Sequence, residues 1–242
     1  MGLSERQELC SVLLALLEEF PQTSHEELAL NLACAATNLT CYQTAGNALL
    51  SGDGPARLLA AVVPMLLSSN EEAVVEAARA LGNMSRLPDA RALLVASRAV
   101  EALVVLLDHS GREVIYSATG ALINLSGDTD SRAAAVEAGC LPKLVDALER
   151  AGSAFAKQGG EGRPPALDVP LALVACKALF NIMAEARGEG SEGGATRMPA
   201  LTLAEGELLV SLVEHVTQSE DPAYAELASV AARYVACVRK AV

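Results

Sequence analysis

A short phrase centred on asparagine recurs along the chain and constrains its fold more than any other feature. It reads Ala35-Ala36-Thr37-Asn38-Leu39-Thr40, then Ala80-Leu81-Gly82-Asn83-Met84-Ser85, then Ala121-Leu122-Ile123-Asn124-Leu125-Ser126, and last Ala178-Leu179-Phe180-Asn181-Ile182-Met183. The Asn-to-Asn spacings are 45, 41 and 57 residues. The last becomes 37 once the 20-residue Gly/Pro-rich stretch 151–170 is set aside, and self-similarity near 40 residues is close to the period of about 40 to 47 of stacked helical repeats. A weaker fifth copy, 228–235, has Tyr234 where Asn is expected. Composition agrees. The chain holds 45 Ala and 38 Leu but ten Ile, Phe, Tyr and Trp together, and Ala and Leu lead the helix formers, so the expected class is all-α.

Within a unit the helices punctuate themselves. After Asn124, Gly127-Asp128-Thr129-Asp130 predicts a turn, and Asp130 or Ser131 is expected to cap a short helix running through Glu137. Ala138-Gly139-Cys140 breaks that helix, and 141–150 forms the next, with Pro142 in its first turn. There Leu141, Leu144, Val145 and Leu148 make a one-faced apolar stripe. A long third helix over 112–126 turns Val114, Ile115, Ala118, Ala121, Leu122 and Leu125 inward, and an opening helix covers 3–19.

Two short helices and a long one per unit bring in a resemblance. The run Glu137-Ala138-Gly139-Cys140-Leu141-Pro142-Lys143-Leu144-Val145-Asp146-Ala147-Leu148 resembles the second-helix signature of the armadillo-repeat superfamily. The Ala-Leu-x-Asn-Leu-Ser segments are similar to its third helix. The resemblance covers about residues 25–185 and implies an armadillo-type right-handed superhelical solenoid of about five partly irregular repeats. We expect one domain over 1–242, with flexible insertions at about 151–168 and 187–200. After Arg187 the pattern departs, because a Gly/Glu loop replaces a first helix. The opening helix has no polar capping helix before it, so that end is expected either to belong to a longer chain or to meet a partner.

Charge and cysteine usage narrow the function. A net charge of -12 repels phosphate backbones and anionic surfaces, so neither nucleic acid nor membrane is an expected partner. The longest apolar stretch, from Leu9 to Leu17, is far short of the roughly 20 residues of a membrane span, and no basic signal-peptide start precedes it. Six cysteines in a chain able to build a core, with no Cys-x-x-Cys pair, read as buried thiols of a cytoplasmic protein rather than a disulfide or zinc framework. In that compartment the glycosylation-like tripeptides at Asn38, Asn83 and Asn124 stay unmodified.

His25, His109 and His215 fall in different units near helix ends and assemble no catalytic group. Paired carboxylates such as Glu26-Glu27 and Glu71-Glu72 read as solvated helix starts, and no phosphate-binding loop occurs. No enzyme activity, cofactor or metal site is expected.

The Asn ladder is the constellation with a mechanism. In the armadillo plan the third helices line a concave groove, where an asparagine amide can both donate to and accept from the backbone of an extended peptide. The candidate groove residues are Asn38, Asn83, Asn124 and Asn181. Arg79, Arg86 and Lys177, one turn away, form a basic lane that suits an acidic or mixed segment. Two plainer readings stand beside this one: the asparagines secure the turn to the next unit, and the basic residues pair with Glu76 or Asp89. The importin-like groove carries a Trp beside its Asn; this chain has none, which argues against nuclear-signal binding. The segments 31–43, 74–92, 120–148 and 176–182 are similar to a ciliary branch of the superfamily. That resemblance implies a cilium or flagellum adaptor for axoneme assembly, linked to radial spoke delivery by intraflagellar transport. A catenin-like cytoplasmic scaffold gripping acidic segments is the alternative.

Overall fold

The computed structural model of the chain describes residues 3–19, 25–42, 47–157 and 168–184, together with 226, 228–230 and 232. Two compact units divide it, one over Met1–Ala138 and one over Gly139–Val242. The described residues of each are helices and turns, with no strand.

The first unit opens with α1 (Leu3–Glu19), which buries Cys10, Leu13, Leu14 and Leu17 against α2 (Glu26–Cys41) and α3 (Gly54–Val62). Arg57 of α3 grips Glu18 of α1 through two hydrogen bonds, Nε to Oε1 at 2.6 Å and Nη2 to Oε2 at 2.8 Å. The interval between α2 and α4 (Glu71–Met84) differs from the expected plan: among the described residues it holds a turn, α3 and a 3-10 stretch, Val63–Leu67, in place of two short helices. The cause is local. Ser51-Gly52-Asp53-Gly54-Pro55 cannot continue a helix: Gly52 sits at φ 60, and a Cβ on Gly54 would lie 1.8 Å from the Ala48 carbonyl oxygen. Pro64 then removes an amide donor and tightens the end of α3 into the 3-10 turn.

The next repeat is complete: α5 (Pro88–Ala96), α6 (Ala99–Val105) with its 3-10 extension Leu106–Asp108, and α7 (Arg112–Leu125). All six residues expected to face inward on α7 are at most 2% exposed. The unit closes with α8 (Thr129–Glu137). Its cap is Asp128 rather than Asp130 or Ser131, for Asp128 is extended (φ -122, ψ 136) and its carboxylate accepts from the Ser131 amide at 2.9 Å.

In the second unit α9 (Cys140–Lys157) packs against α10 (Val169–Ala184). The stripe Leu141, Leu144, Val145 and Leu148 is buried as expected. The expected insertion at about 151–168 starts later than its composition suggested, because Ala151, Ala154 and Ala156 carry α9 on to Lys157. Residues 158–167, the second insertion at 187–200, His215 and most of the weak fifth copy lie outside the described residues.

Candidate functional site

Three third helices, α2, α4 and α7, pack in that order in the first unit. Their asparagines make one bond twice. Asn83 Nδ2 donates to the carbonyl oxygen of Thr37 at 3.0 Å and to Thr40 Oγ1 at 3.2 Å, and Asn124 Nδ2 donates to the carbonyl oxygen of Gly82 at 3.0 Å. Thr37 and Gly82 hold the same place, each one residue before the preceding asparagine. Each rung therefore ties a third helix to the last turns of its neighbour, where helix carbonyls run short of partners. Asn83 Oδ1 is also used, accepting from Arg86 Nη2 at 3.1 Å. Asn124 Oδ1 accepts from none of the described residues, and Asn38 is exposed at the end of the ladder. Asn181 is half-buried on α10 of the second unit.

The cations of this face are engaged. Arg79 pairs with Glu76 at 2.7 Å and with Glu113 of α7 at 3.5 Å. Arg86 donates to the carbonyl oxygens of Cys41 at 3.1 Å and Asn83 at 3.4 Å, so it serves the ends of two helices. Lys177, in the second unit, pairs with Glu226 at 2.5 Å. The structure thus gathers Asn38, Asn83, Asn124, Arg79 and Arg86 on the α2–α4–α7 face, and places Lys177 and Asn181 on α10.

Four features of the first unit escaped the sequence reading. Asn47 is only 9% exposed and uses its whole amide: Nδ2 donates to Leu39 and Tyr42 carbonyls at 2.8 and 3.0 Å, while Oδ1 accepts from the Leu49 amide at 3.1 Å and the Cys10 thiol at 3.6 Å. Arg91 and Arg132, equivalent by the 41-residue spacing, each donate to a serine carbonyl just past the preceding third helix, Ser85 at 2.8 Å and Ser126 at 3.1 Å. That pair was available to a repeat-by-repeat alignment; Asn47 was not, since it falls outside the recurring phrase. The remaining feature is the open space beside Gly120, where a Cβ would meet nothing within 4 Å.

Burial holds three of the described thiols in their unreactive form, while Cys41 is exposed at the end of α2, unlike the buried thiols expected. Burial pushes Cys140 and Cys176 up to about 12, and burial, with the nearby Glu76 and Glu72 carboxylates, raises Cys34. Among the described residues no group of three or more His, Cys, Asp and Glu is placed to hold a metal, and no helix is long and apolar enough to cross a membrane. His109 serves a turn, its Nδ1 accepting from the Gly111 amide at 2.9 Å.

No protein-family sequence pattern and no curated protein sequence matches the chain. Solved structures do. An engineered protein matches with a TM-score of 0.65 at 19% identity, over 99% of this chain and 87% of its own. A designed armadillo repeat protein in complex with the peptide (KR)4 matches with a TM-score of 0.60 at 20% identity, over 92% and 80%. A chain from a structure on the phosphorylation switch between cadherin and β-catenin gives 0.65 at 20% identity, over 95% of this chain and 36% of that one. The fold of this chain is the all-α armadillo-repeat fold.

Proposed function

We propose that the chain is a non-enzymatic protein-binding scaffold whose α2–α4–α7 face takes an extended segment of another protein. The observation that carries this is the common register of three third helices, in which Asn83 is engaged within the fold while the Asn38 side chain is exposed and Asn124 Oδ1 accepts from none of the described residues. Helices pack about 8–10 Å apart and an extended chain advances about 3.3 Å per residue, so the face spans about six residues of such a segment. The likeness in fold to a designed protein crystallised with a peptide supports the same reading.

The segment is of mixed rather than strongly acidic character. Arg79 is already balanced by two carboxylates and Arg86 by helix-end carbonyls, which leaves little positive charge to attract an acidic run. To test this reading, random peptides are selected against the full chain by display and their footprint is mapped by hydrogen exchange. Protection on α2, α4 and α7 is expected; a footprint confined to other surfaces overturns the reading.

A narrower assignment draws on sequence alone. The segments 31–43, 74–92, 120–148 and 176–182 resemble the C-terminal repeats of armadillo repeat-containing protein 2, which supports an adaptor role in cilium or flagellum assembly, with radial spoke and intraflagellar transport proteins as partners. The alternative is a catenin-like scaffold, favoured by the fold shared with the cadherin and β-catenin structure. Proximity labelling in ciliated cells separates them: axonemal and transport proteins sustain the first, adhesion or signalling proteins the second.

A further inference from the structure

We infer that the side of α2 turned away from α4 docks a helix of another protein built like α4, with a cation three residues before a small residue; this goes beyond the groove reading and does not rest on it. Each of the later third helices has one side that meets the third helix before it. On α7 that side holds Glu113, paired with Arg79 of α4 at 3.5 Å, Ala121, which lies 3.6 Å from where a Cβ of Gly82 would stand, and Asn124, which donates to the Gly82 carbonyl oxygen. On α4 it holds Asn83, which donates to the Thr37 carbonyl oxygen of α2, and Glu76, whose own carbonyl oxygen accepts from the Thr37 hydroxyl at 2.8 Å. In the stack this side is covered: Ala80, Ser117 and Ala121 are 0%, 7% and 1% exposed.

The same places on α2 stand open. Counted back from the asparagine, Ala35 corresponds to Ala80 and Ala121, and Asn31 to Glu76 and Ser117. Ala35 is only half-buried, and Asn31 and Asn38 are exposed. With His25, Glu26, Glu27 and Leu28, Asn31 lines an open hollow of about 610 Å³. The interface that joins α2 to α4 and α4 to α7 therefore continues on α2 as an unused surface.

Its residues choose the occupant. Glu27, Asn31, Ala35 and Asn38 stand where α7 has Glu113, Ser117, Ala121 and Asn124, and α4 has Glu76 in place of the neutral Asn31 or Ser117. The match is thus to α7, and the helix that covers this set on α7 is α4. An occupant of the same kind brings a carbonyl in its last turns, where helix carbonyls run short of partners, to the Asn38 amide, and a small residue, as Gly82 is, to Ala35. Charge adds the third contact. Glu113 has Arg112 beside it as well as Arg79, but Glu27 has Glu26 beside it and forms no salt bridge among the described residues, so its counter-charge falls to the occupant. A second copy of this chain is a poor candidate: its α4 is enclosed between α2 and α7, and two chains of net charge -12 repel.

The test uses the full chain, isotope-labelled, and a synthetic peptide of residues 71–86, stapled across positions 73 and 77, opposite Gly82, because short isolated helices are marginal in water. The side-chain amide signals of Asn31 and Asn38 are followed by NMR as the peptide is added. A saturable shift at both is expected. Arg79→Glu in the peptide, or Glu27→Lys in the chain, should weaken binding about three- to fivefold, and the two together should restore it. Glu137→Lys, the same charge change at an exposed site on α8, should not. Ala35→Lys places a long cation on the open side and should abolish the shift with the helical circular dichroism kept; if that variant unfolds, the charge exchange at exposed Glu27 still decides. No shift at Asn31 and Asn38, equal binding by the Arg79→Glu peptide, or a failure of Glu27→Lys to rescue that peptide overturns the docking site. A dimer of the chain in light scattering that Ala35→Lys disrupts would make a second copy the occupant and overturn it too.

Discussion

Asn47 and Arg98 show how single residues hold this chain in opposite ways. Asn47 closes the end of α2, satisfying two carbonyls and one amide from a site that water barely reaches. A buried polar group left without its partner costs about 1–3 kcal/mol, so Asn47→Ala is expected to lower stability by about 2–3 kcal/mol in urea unfolding. A loss under about 0.5 kcal/mol would mean that water or a shifted backbone replaces the amide. Arg98 does the reverse. It sits at φ 59, where its repeat equivalent Gly139 sits at φ 80. A left-handed non-glycine residue costs about 1–2 kcal/mol, and glycine's extra freedom in the unfolded chain returns about 0.5–1 kcal/mol of that. The ion pair with Glu101, on an Arg98 side chain that is 81% exposed, contributes little. Arg98→Gly should therefore raise the melting temperature slightly, and a clear fall would show that the left-handed turn is not strained.

At the scale of the element, α8 depends on one carboxylate. The hydrogen bond from the Ser131 amide, helped by the nearby charges of Arg91 and Arg132, holds the Asp128 carboxyl below its usual value. A depressed value means that the unfolded chain takes up the proton first. The cap's stabilisation is complete above the unfolded value of about 3.9 and is lost as the pH falls through the lower folded one. Asp128→Asn keeps a good cap without a titrating group, so its melting temperature should fall less steeply than the native one below about pH 4. Asp128→Ala should cost about 1 kcal/mol at neutral pH; equal acid slopes for the native chain and the Asp128→Asn variant would assign the titration elsewhere.

The same helix marks what the sequence made legible. Long runs of good helix formers between turn residues could be read almost to their ends: α1 runs over Leu3–Glu19 as expected, and α7 stops one residue short of the expected Ser126. Boundaries set by backbone geometry could not. In Gly127-Asp128-Thr129-Asp130-Ser131 several side chains are able to cap, and the extended backbone of Asp128 decides among them. Composition also misplaced the end of α9, where Gly152 and the glycines and prolines further on masked the contribution of Ala151, Ala154, Ala156 and Lys157. On the candidate face, the recurrence of asparagine was visible, but a rung is a bond to a carbonyl of the neighbouring repeat, which leaves no mark in the spacing. Arg79 likewise meets Glu76 on its own helix, legible from the i, i+3 spacing, and Glu113 on another helix, which is not.

For the molecule, the rungs matter because a stack of repeats is held by interfaces between neighbours, so its stability is close to a sum of nearest-neighbour terms. In the first unit one rung crosses the α2–α4 interface and the other crosses α4–α7. They share no partner. Asn83→Ala is expected to cost about 1–2 kcal/mol and Asn124→Ala about 1 kcal/mol, since Asn83 makes the additional bonds with Thr40 and Arg86. Asn38, exposed at the end of the series, should change stability by less than about 0.5 kcal/mol when replaced by Ala. The double substitution at Asn83 and Asn124 should equal the sum of the single ones within about 0.5 kcal/mol. A coupling well above that in a double-mutant cycle would mean that α4 moves as a lever between the two interfaces. Binding divides the same residues differently: a segment lying across the face should be weakened by Asn38→Ala even though the fold is not. If Asn38→Ala left both stability and peptide affinity unchanged, the first asparagine of the ladder would have neither role, and the segment would engage α4 and α7 alone.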